Sequence, residues 1–254
     1  MSSHDLTGRR AIVTGASRGI GRAIAERLAA DGADLVVTAR QREALDDLAA
    51  HVRSLGRRCV AVDVDITADD AAQRIVAAAT DELGGLEILV NNAGGNSFMS
   101  PLSGMRLSGF DKTLALNLDA VVRLMHAALP ALIASGRGSI INVSSVLGLR
   151  GAPLMSHYGA AKAAVISLTQ SVAIETATQG VRVNALVPGW IATDLTDFLR
   201  EDDTLEERIL ADVPMGRWGR AEEIADAAAF LAGDASSFMT GQVLVIDGGL
   251  SARP

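Results

Sequence analysis

Short β-branched runs of apolar residues alternate along the chain with longer segments in which apolar positions recur every three or four residues. The short runs are nearly continuous in hydrophobic residues, which is typical of parallel strands covered on both faces. Seven of them have the length of strands: residues 9–15, 33–39, 58–64, 86–92, 138–145, 181–188 and 242–248. The pattern therefore predicts a parallel sheet of buried strands.

The longer segments have the periodicity of amphipathic helices. In the first of them Ile20, Ile24 and Leu28 share one face, and Gly32 ends the helix. Six main segments of this kind lie between the strands: residues 19–33, 41–56, 68–85, 108–136, 156–180 and 221–233. Alternating strands and helices with short connections predict βαβ units with right-handed crossovers. No linker, repeat or low-complexity tract interrupts them, so we predict one doubly wound α/β domain over residues 1–254.

Two of the predicted helices are unusually apolar. Segments 108–136 and 156–180 carry hydrophobic residues around much of their circumference, which is more than one face of a sheet requires. This pattern favours a helix-to-helix interface between subunits. A deep core within one subunit is the alternative.

Composition and charge narrow the classes of protein to consider. The formal net charge of −7 argues against a nucleic-acid partner. No run of eighteen apolar residues predicts a membrane span, and residues 1–10 lack the apolar stretch of a secretory signal. The single cysteine, Cys59, excludes an internal disulfide and is interpreted as a small core residue. We expect a soluble cytoplasmic protein.

A glycine-rich turn follows the first strand. Gly15, Gly19 and Gly21 lie at the junction of strand and helix in TGASRGIGRA, residues 14–23. Backbone without Cβ atoms lets a pyrophosphate approach closely, and the N-terminus of the next helix offers free N–H groups and a positive dipole end. Gly94 and Gly95 repeat this feature at the end of the fourth strand, where open α/β sheets bind ligands. These positions predict a nucleotide site.

The ends of the second and third strands bear on which nucleotide binds. A site for NAD usually has an acid after the second strand to bind the ribose 2′-OH, but this chain has Arg40. Together with Arg18 of the glycine turn, Arg40 would form a receptor for a 2′-phosphate, which favours NADP(H) over NAD(H). Two solvated surface arginines are the alternative. Asp63 is a candidate acceptor for the adenine amino group, or else a turn or cap residue.

Candidate catalytic groups follow the fifth strand. Ser145 ends that strand, and Tyr158 and Lys162 are four positions apart, which places them on one face of a helix. A free tyrosine is a poor base at neutral pH, but a nearby ammonium lowers its pKa. The pair could therefore exchange a proton with an alcohol or ketone whose oxygen binds Ser145. No G-x-S-x-G elbow supports a serine hydrolase, and the histidines lack metal-ligand spacing, so no metal is expected.

As a set, these residues resemble the short-chain dehydrogenase/reductase family over essentially the whole chain. The matching motifs are TGASRGIG, NNAG, Asn117 in the long fourth helix, Ser145, Tyr158, Lys162 and PGWIATD at 188–194. The resemblance implies a Rossmann-type fold, strand order 3-2-1-4-5-6-7, helices on both faces and a homotetramer built on the two long helices. The C-terminal region is similar to that of 3-oxoacyl-[acyl-carrier-protein] reductases, but many subfamilies share it, so the substrate does not follow.

The resemblance also implies roles for individual residues. Tyr158 would be the catalytic acid and base, Lys162 would bind the nicotinamide ribose and lower the tyrosine pKa, and Ser145 would position the carbonyl. Asn117 would hold a water in the proton relay. The residues expected to bind the cofactor are Gly15, Ser17, Arg18, Gly19, Ile20, Gly21, Arg40, Asp63, Val64, Asn91, Ala93, Gly94, Tyr158, Lys162, Pro188, Gly189, Ile191 and Thr193.

Two segments are candidates for substrate specificity. The loop 95–105 matches no particular subfamily, and residues 194–218 have a helical apolar face that would suit a lid over the substrate or simply a packed surface helix. The apolar residues in question are Leu195, Phe198, Leu199, Leu205, Ile209 and Leu210 of this segment, with Leu147, Leu149, Met155 and Trp190. They predict an apolar ketone or alcohol as substrate. His157 is expected at the helix surface or in the pocket lining, without an assigned role.

Three functions stay open from the sequence alone. The first is an NADP(H)-dependent carbonyl reductase or alcohol dehydrogenase that uses Tyr158, with a 3-oxoacyl thioester among its candidate substrates. The second is an NAD-dependent dehydrogenase of a sugar, steroid or other hydroxy compound. The third is a dinucleotide-sensing protein without turnover, although a sensor would not need Ser145, Tyr158 and Lys162.

Overall fold

A computed structural model describes residues 5–194 and 196–253. Within them, seven strands form one parallel sheet in the order β3-β2-β1-β4-β5-β6-β7. The strands are β1 Arg10–Thr14, β2 Asp34–Ala39, β3 Cys59–Asp63, β4 Ile88–Asn91, β5 Gly138–Val143, β6 Val181–Pro188 and β7 Val243–Ile246. Each lies within a predicted run, so the doubly wound seven-stranded sheet and its order are confirmed.

Helices cover both faces of the sheet. They are α1 Gly19–Ala30, α2 Arg42–Ser54, α3 Ala71–Ala77, α4 Leu107–Leu114, α5 Ala120–Ser135, α6 Ser156–Thr176, α7 Asp197–Arg200, α8 Asp203–Asp212 and α9 Ala221–Ala232. A π-helical turn over Ala115–Asp119 joins α4 to α5, and another over Ala78–Leu83 extends α3. All six predicted helices are present. The segment 194–218 differs from its expected single helix, because it folds as the two short helices α7 and α8.

Alternation along each strand divides the apolar residues between two cores. In β1, Ala11 and Val13 face the core formed with α1, α2 and α9, whereas Ile12 faces the core formed with α3, α5 and α6. The central side chains of both cores, such as Leu28 and Leu89, are fully buried. Burial on both faces is the reason that the strands have no polar alternation in sequence.

The strand order reverses beside β1. The connection from β1 leads to β2 on one side, whereas β4 pairs with the other side of β1, so that Val13 lies between Val37 and Val90. The connections after β1 and β4 therefore leave in opposite directions and open a crevice at the carboxyl ends of the strands. Ligands of open α/β sheets bind in such a crevice.

The long helix of residues 107–135 meets the length and hydropathy criteria of a membrane span, with a mean hydropathy of 1.4. That criterion is weak evidence, because core helices of soluble proteins also meet it. One side, with Val121, Leu124, Ala128 and Leu132, packs into the second core, while Val122 on the other side is 42% exposed. The helix thus contributes an apolar face to the core, while its outer side exposes Val122 together with Arg123 and His126.

A buried ion pair fixes the start of β4 against β1. Glu87 is 1% exposed, and its carboxylate accepts hydrogen bonds from the backbone N–H of Arg10 at 2.8 Å and from Nε of Arg10 at 2.9 Å. Burial acts to raise the pKa of Glu87, but the hydrogen bonds and charge of Arg10 outweigh it and hold the pKa below its usual value. The carboxylate therefore stays charged and depends on Arg10.

We expect Arg10→Met to destabilise the fold by about 3–5 kcal/mol, because it leaves a buried carboxylate without its partner. Urea denaturation at neutral pH measures this loss. The matched control is Arg123→Met, which breaks an ion pair with a 98%-exposed Asp69 and should cost less than about 1 kcal/mol.

The pH dependence of this difference follows from the lowered pKa of Glu87. The stabilisation is present above the ordinary carboxyl pKa of 4.5 and is lost as the pH falls through the folded-state pKa. The two proteins should therefore become more alike in acid. Equal stability of Arg10→Met and wild type at neutral pH would contradict the role of the pair.

Candidate active site

A large cleft of about 770 Å³ lies at the carboxyl ends of the strands. It extends from the glycine turn after β1, past β4 and β5, to the segment that follows β6. Its lining includes most of the predicted site residues: Gly15, Ser17, Arg18, Gly19, Ile20, Gly21, Arg40, Val64, Ala93, Gly94, Ser145, Tyr158, Lys162, Pro188, Gly189, Ile191 and Thr193. The fold thus gathers residues from six separate connections around one space.

The glycine turn is shaped by close backbone approaches. Gly15 has φ +64°, and a Cβ there would lie 2.9 Å from Cα of Ala93. A Cβ on Gly21 would lie 2.2 Å from the carbonyl oxygen of Gly15. Side chains at these two positions are incompatible with the turn, so that its backbone is left bare toward the cleft.

The start of α1 supplies hydrogen-bond donors to the same place. No side chain caps this helix, and its first turn has no acidic residue, so its first N–H groups and its dipole are available to an anion. Thr193 closes over the turn, with its Cγ2 3.2 Å from where a Cβ on Gly19 would be. Thr38 adds a buried hydroxyl at the cleft that has no partner among the described residues. These features fit the pyrophosphate and ribose of a dinucleotide.

Two arginines lie at the outer end of this cradle. Arg18 and Arg40 both line the cleft, and the Arg18 side chain is 63% exposed. Nη1 of Arg18 lies 3.5 Å from Oδ2 of Asp194, a solvent-screened contact that a stronger anion can replace. Hydrogen bonds from Thr67 lower the pKa of Asp65, and the positive charge of Arg40 adds to this shift. The site therefore has two solvent-exposed guanidiniums beside the glycine turn, and both can bind an anion of the ligand.

The position of Asp63 corrects one prediction. Its carboxylate pairs with Nη1 of Arg42 at 3.1 Å and lies outside the cleft lining. The residues that line the cleft after β3 are Val64, Asp65 and Ile66. Asp63 ends the strand, so its side chain alternates away from the crevice, whereas Asp65 lies beyond the strand in the turn toward it. The sequence signal that could have identified the lining residue was the second aspartate of the VDVD run, Asp65.

Asn91 also lies elsewhere than expected. Its side chain is buried within the sheet, and its Nδ2 donates to Oδ1 of Asn142 at 2.8 Å. The next residue, Asn92, lines the cleft and donates from Nδ2 to the carbonyl oxygens of Thr14 at 2.9 Å and Gly15 at 3.2 Å. The side chain of Asn91 therefore joins β4 to β5, while Asn92 fixes the glycine turn.

Asn117 is fully buried in the π-helical turn and is not among the lining residues. Its Oδ1 accepts from the N–H of Gly95 at 2.9 Å, and its Nδ2 donates to the carbonyl oxygens of Gly95 and Thr113 at 2.9 and 3.0 Å. The role of Asn117 in holding a relay water stays a prediction, while its side-chain amide is engaged with backbone. What it does in this structure is anchor the loop after β4 to the long helix.

Ser145, Tyr158 and Lys162 come together where β5 meets α6. Nζ of Lys162 donates to the carbonyl oxygen of Val143 at 2.9 Å and lies 5.6 Å from the centroid of the Tyr158 ring. Ser144 donates from Oγ to the carbonyl oxygen of Lys162 at 2.8 Å, which ties the strand end to the helix. Ser145 caps the short turn that follows β5. The three candidate groups are therefore held by backbone contacts rather than by one another alone.

Burial governs the pKa values of the pair. It raises the pKa of Tyr158 to about 12, opposed in part by the nearby hydroxyl of Ser145. It lowers the pKa of Lys162 to about 8. The groups that shift the tyrosine pKa here are its burial and Ser145, and the expected lowering by Lys162 stays a prediction. At neutral pH the site holds a neutral phenol beside an ammonium, which suits proton donation. The ammonium keeps two N–H donors for a ligand.

The apolar end of the cleft lies beyond Tyr158. The expected residues Leu147, Met155, Trp190, Phe198 and Leu199 line it, whereas Leu149 is 43% exposed and lies outside the lining. Leu205, Ile209 and Leu210 of α8 also lie outside the cleft lining. Leu195 lies outside the described residues. Sequence reasoning had named the loop 95–105 only as a whole; its first part, residues 95–99, forms the facing wall.

A family model described as enoyl-(acyl carrier protein) reductase matches residues 15–251 of the chain. The chain is 38% identical to gluconate 5-dehydrogenase of Gluconobacter oxydans (97% of this chain, 96% of the relative). It is 41% identical to cis-4-hydroxycyclohexanecarboxylate dehydrogenase of Sinomonas cyclohexanicum (96% and 97%). It is 39% identical to a 3-oxoacyl-[acyl-carrier-protein] reductase of Vibrio cholerae (97% and 98%).

Solved structures agree with these relatives. A short-chain type dehydrogenase/reductase from Mycobacterium marinum superposes with a TM-score of 0.92 at 37% identity, over 99% of this chain and 98% of that one. A gluconate 5-dehydrogenase from Burkholderia cenocepacia J2315, in complex with NADP and tartrate, superposes with a TM-score of 0.93 at 34% identity, over 99% and 98%. The chain belongs to the short-chain dehydrogenase/reductase family of oxidoreductases.

Proposed function

We propose that this oxidoreductase is NADP(H)-dependent and interconverts a neutral, apolar ketone and the corresponding secondary alcohol. The observation that carries the proposal is the cleft itself. It has two solvent-exposed guanidiniums at the nucleotide end, a neutral phenol with a buried ammonium at its centre, and an apolar wall at the far end. Several relatives' structures contain NADP, which supports the same cofactor here.

The reaction follows from the groups at the centre. When bound, the dinucleotide supplies a hydride to the carbonyl carbon. Tyr158 donates its phenolic proton to the carbonyl oxygen, and Ser145 donates a hydrogen bond to the same oxygen. The ammonium of Lys162 stabilises the phenolate that remains. The ketone thereby gains one hydride and one proton, and the reverse sequence oxidises the alcohol.

The charges around the cleft bear on the class of substrate. Among residues 5–194 and 196–253, the charged side chains of the lining are Arg18, Arg40, Asp65, Lys162 and Asp194. Apart from Lys162, all are at the nucleotide end, so a carboxylate on the substrate would find no cation at the apolar end. This favours a neutral ketone over a gluconate-like acid. A 3-oxoacyl thioester fits as far as its reacting end is neutral and apolar.

We also propose that the enzyme is a homotetramer. Val122 of α5 is 42% exposed and Ile174 of α6 is 81% exposed, so both long helices present apolar side chains outward. Packing of these faces between subunits would remove them from water. The cytoplasmic location and the absence of nucleic-acid and membrane partners stay predictions from the sequence.

Tyr158→Phe should lower kcat by roughly 10²–10⁴-fold, because the ring stays in place but the proton donor is lost. The dissociation constant for NADPH, measured by fluorescence titration, should stay within about twofold of wild type. The reduction of a panel of ketones is the activity assay. If turnover of every reduced ketone were unchanged in this variant, the proton-donor role would be wrong.

The double substitution of Arg18 and Arg40 by Ala should weaken NADPH binding by about 10–100-fold, since hydrogen bonds to a charged partner contribute about 1.5–3 kcal/mol. NADH binding should hardly change, because NADH lacks the 2′-phosphate. Arg42→Ala is the matched control, since Arg42 is nearby but paired with Asp46 and Asp63 outside the cleft. Equal losses for NADPH and NADH would rule out a phosphate receptor.

The kcat/KM for ketone reduction should fall as the pH rises through about 8, where Lys162 loses its proton. Tyr158, with a pKa of about 12, stays protonated through this range and should not contribute a second step. Lys162→Met should be slower overall and should lack the step. A flat profile between about pH 6 and about pH 10 in the wild type would contradict the assignment of the step.

A further inference from the structure

His157 is the one residue next to the catalytic tyrosine whose surroundings the reaction does not explain. Its ring is fully buried and lies outside the cleft lining, contrary to the expected surface or lining position. The ring stacks on Phe98 with centroids 4.2 Å apart and 17° between planes. Its Nε2 lies 2.9 Å from Oδ1 of Asn96. Both partners belong to the loop after β4, on the other side of the cleft.

The chemistry of the pair fixes the proton on this ring. Burial lowers the pKa of His157 and outweighs the opposing effect of the Phe98 backbone, so the imidazole is neutral at neutral pH with a single ring proton. An amide oxygen only accepts hydrogen bonds, so that proton is on Nε2. Nδ1 is then left without a partner among the described residues. The hydrogen bond to Asn96 and the stacking on Phe98 are therefore the contacts that hold the ring.

A second contact joins the same two segments. The N–H of Ser100 donates to the carbonyl oxygen of Leu154 at 2.8 Å. Leu154 has φ +66°, the single non-glycine residue with positive φ in residues 5–194 and 196–253. A β-carbon in this region is strained, and such strain persists where the surroundings determine the backbone. The turn before α6 thus holds the loop at Ser100, and His157 in the first turn of α6 holds it at Asn96 and Phe98.

Phe98 is enclosed on its other side by α4. A Cβ on Gly109 would lie 3.0 Å from Cζ of Phe98, so the ring rests against bare helix backbone. Asn96, Phe98 and Met99 all line the apolar end of the cleft. The wall that faces the substrate is therefore an aromatic ring packed between His157 and Gly109.

We propose that His157 is a specificity-determining positioning residue, which clamps the Asn96–Phe98 wall at a fixed distance from Tyr158 and thereby adapts the pocket to ring-bearing or branched apolar ketones. The inference rests on the proposed function and deepens it. Tyr158 follows His157 directly on α6, so the wall and the proton donor are held by the same helical turn. A bulky substrate touches the wall, whereas a small one reaches Tyr158 without contacting it.

Two variants separate the two contacts. His157→Phe keeps a ring against Phe98 but loses the hydrogen bond to Asn96, and His157→Gln keeps an amide donor but loses the stacking. His51→Gln is the control, since His51 is exposed on α2 away from the cleft. With NADPH, the kinetics of cyclohexanone and acetone are compared in each protein.

We expect His157→Gln to raise KM for cyclohexanone by about tenfold while kcat stays within about threefold, because a pocket contact rather than the chemistry is lost. The kinetic constants for acetone should change by less than about twofold. His157→Phe should recover most of the cyclohexanone KM if stacking is the larger contact. Equal changes for both ketones, or none for either, would overturn the proposal.

Hydrogen exchange gives a readout that does not depend on turnover. In His157→Gln the amides of residues 96–100 should exchange at least about tenfold faster, while those of β5 should not change, since a local clamp is lost rather than the fold. Unchanged exchange in 96–100 would overturn the clamp. If the wild type reduced no ketone at all, the proposed function would fail, whereas the exchange experiment would still decide whether His157 positions the wall.

Discussion

The buried ammonium of Lys162 is the group on which the site depends. An ammonium taken out of water must be compensated, and here it donates a hydrogen bond to the Val143 carbonyl at the end of β5 while the Tyr158 ring lies alongside. These contacts fix where α6 meets the sheet, and with it the distance from the phenol to Ser145. The same burial that lowers the lysine pKa keeps the phenol neutral. Position and protonation at the site therefore have one physical cause.

The rest of the cleft is made by backbone approaching backbone. Gly21 meets the Gly15 carbonyl, Gly15 meets Ala93, and Gly148 meets the backbone of Lys162 at distances that exclude a side chain. Because parallel strands end at one edge of the sheet, these connections meet at that edge. The reversal of strand order beside β1 opens the crevice between them. The sheet thus supplies a rigid frame, and the specificity of the pocket is left to the segments after β4 and β6.

The elements of the fold were predictable because their signals are local. Continuous apolar runs identify strands buried on both faces, and the order of the strands came from the resemblance to a family. The site was predictable where backbone geometry demands a residue type, as at Gly15 and Gly21. The site was not predictable where the direction of a side chain decides whether it faces the cleft. For this reason Asp63 and Asn91 were predicted in the cleft, whereas Asp65 and Asn92 line it.

Two further differences arise from burial, which sequence spacing does not reveal. The spacing of Tyr158 and Lys162 predicts that the two side chains are neighbours, but burial in the fold decides the direction of the tyrosine pKa shift. His157 offers no periodic signal that it is buried, because its partners Asn96 and Phe98 come from a loop some sixty residues earlier. Such contacts depend on how the loop after β4 packs against α6 in the folded chain, which the local sequence around His157 does not show.

The central claim is that NADPH bound in this cleft transfers a hydride to the carbonyl carbon of a ketone. The direct measurement uses NADPH with deuterium at the transferred position and an apolar ketone, with mass spectrometry of the alcohol. We expect one deuterium on the carbinol carbon of the product. Product without deuterium at that carbon, or no product from any ketone in a broad panel, would contradict it.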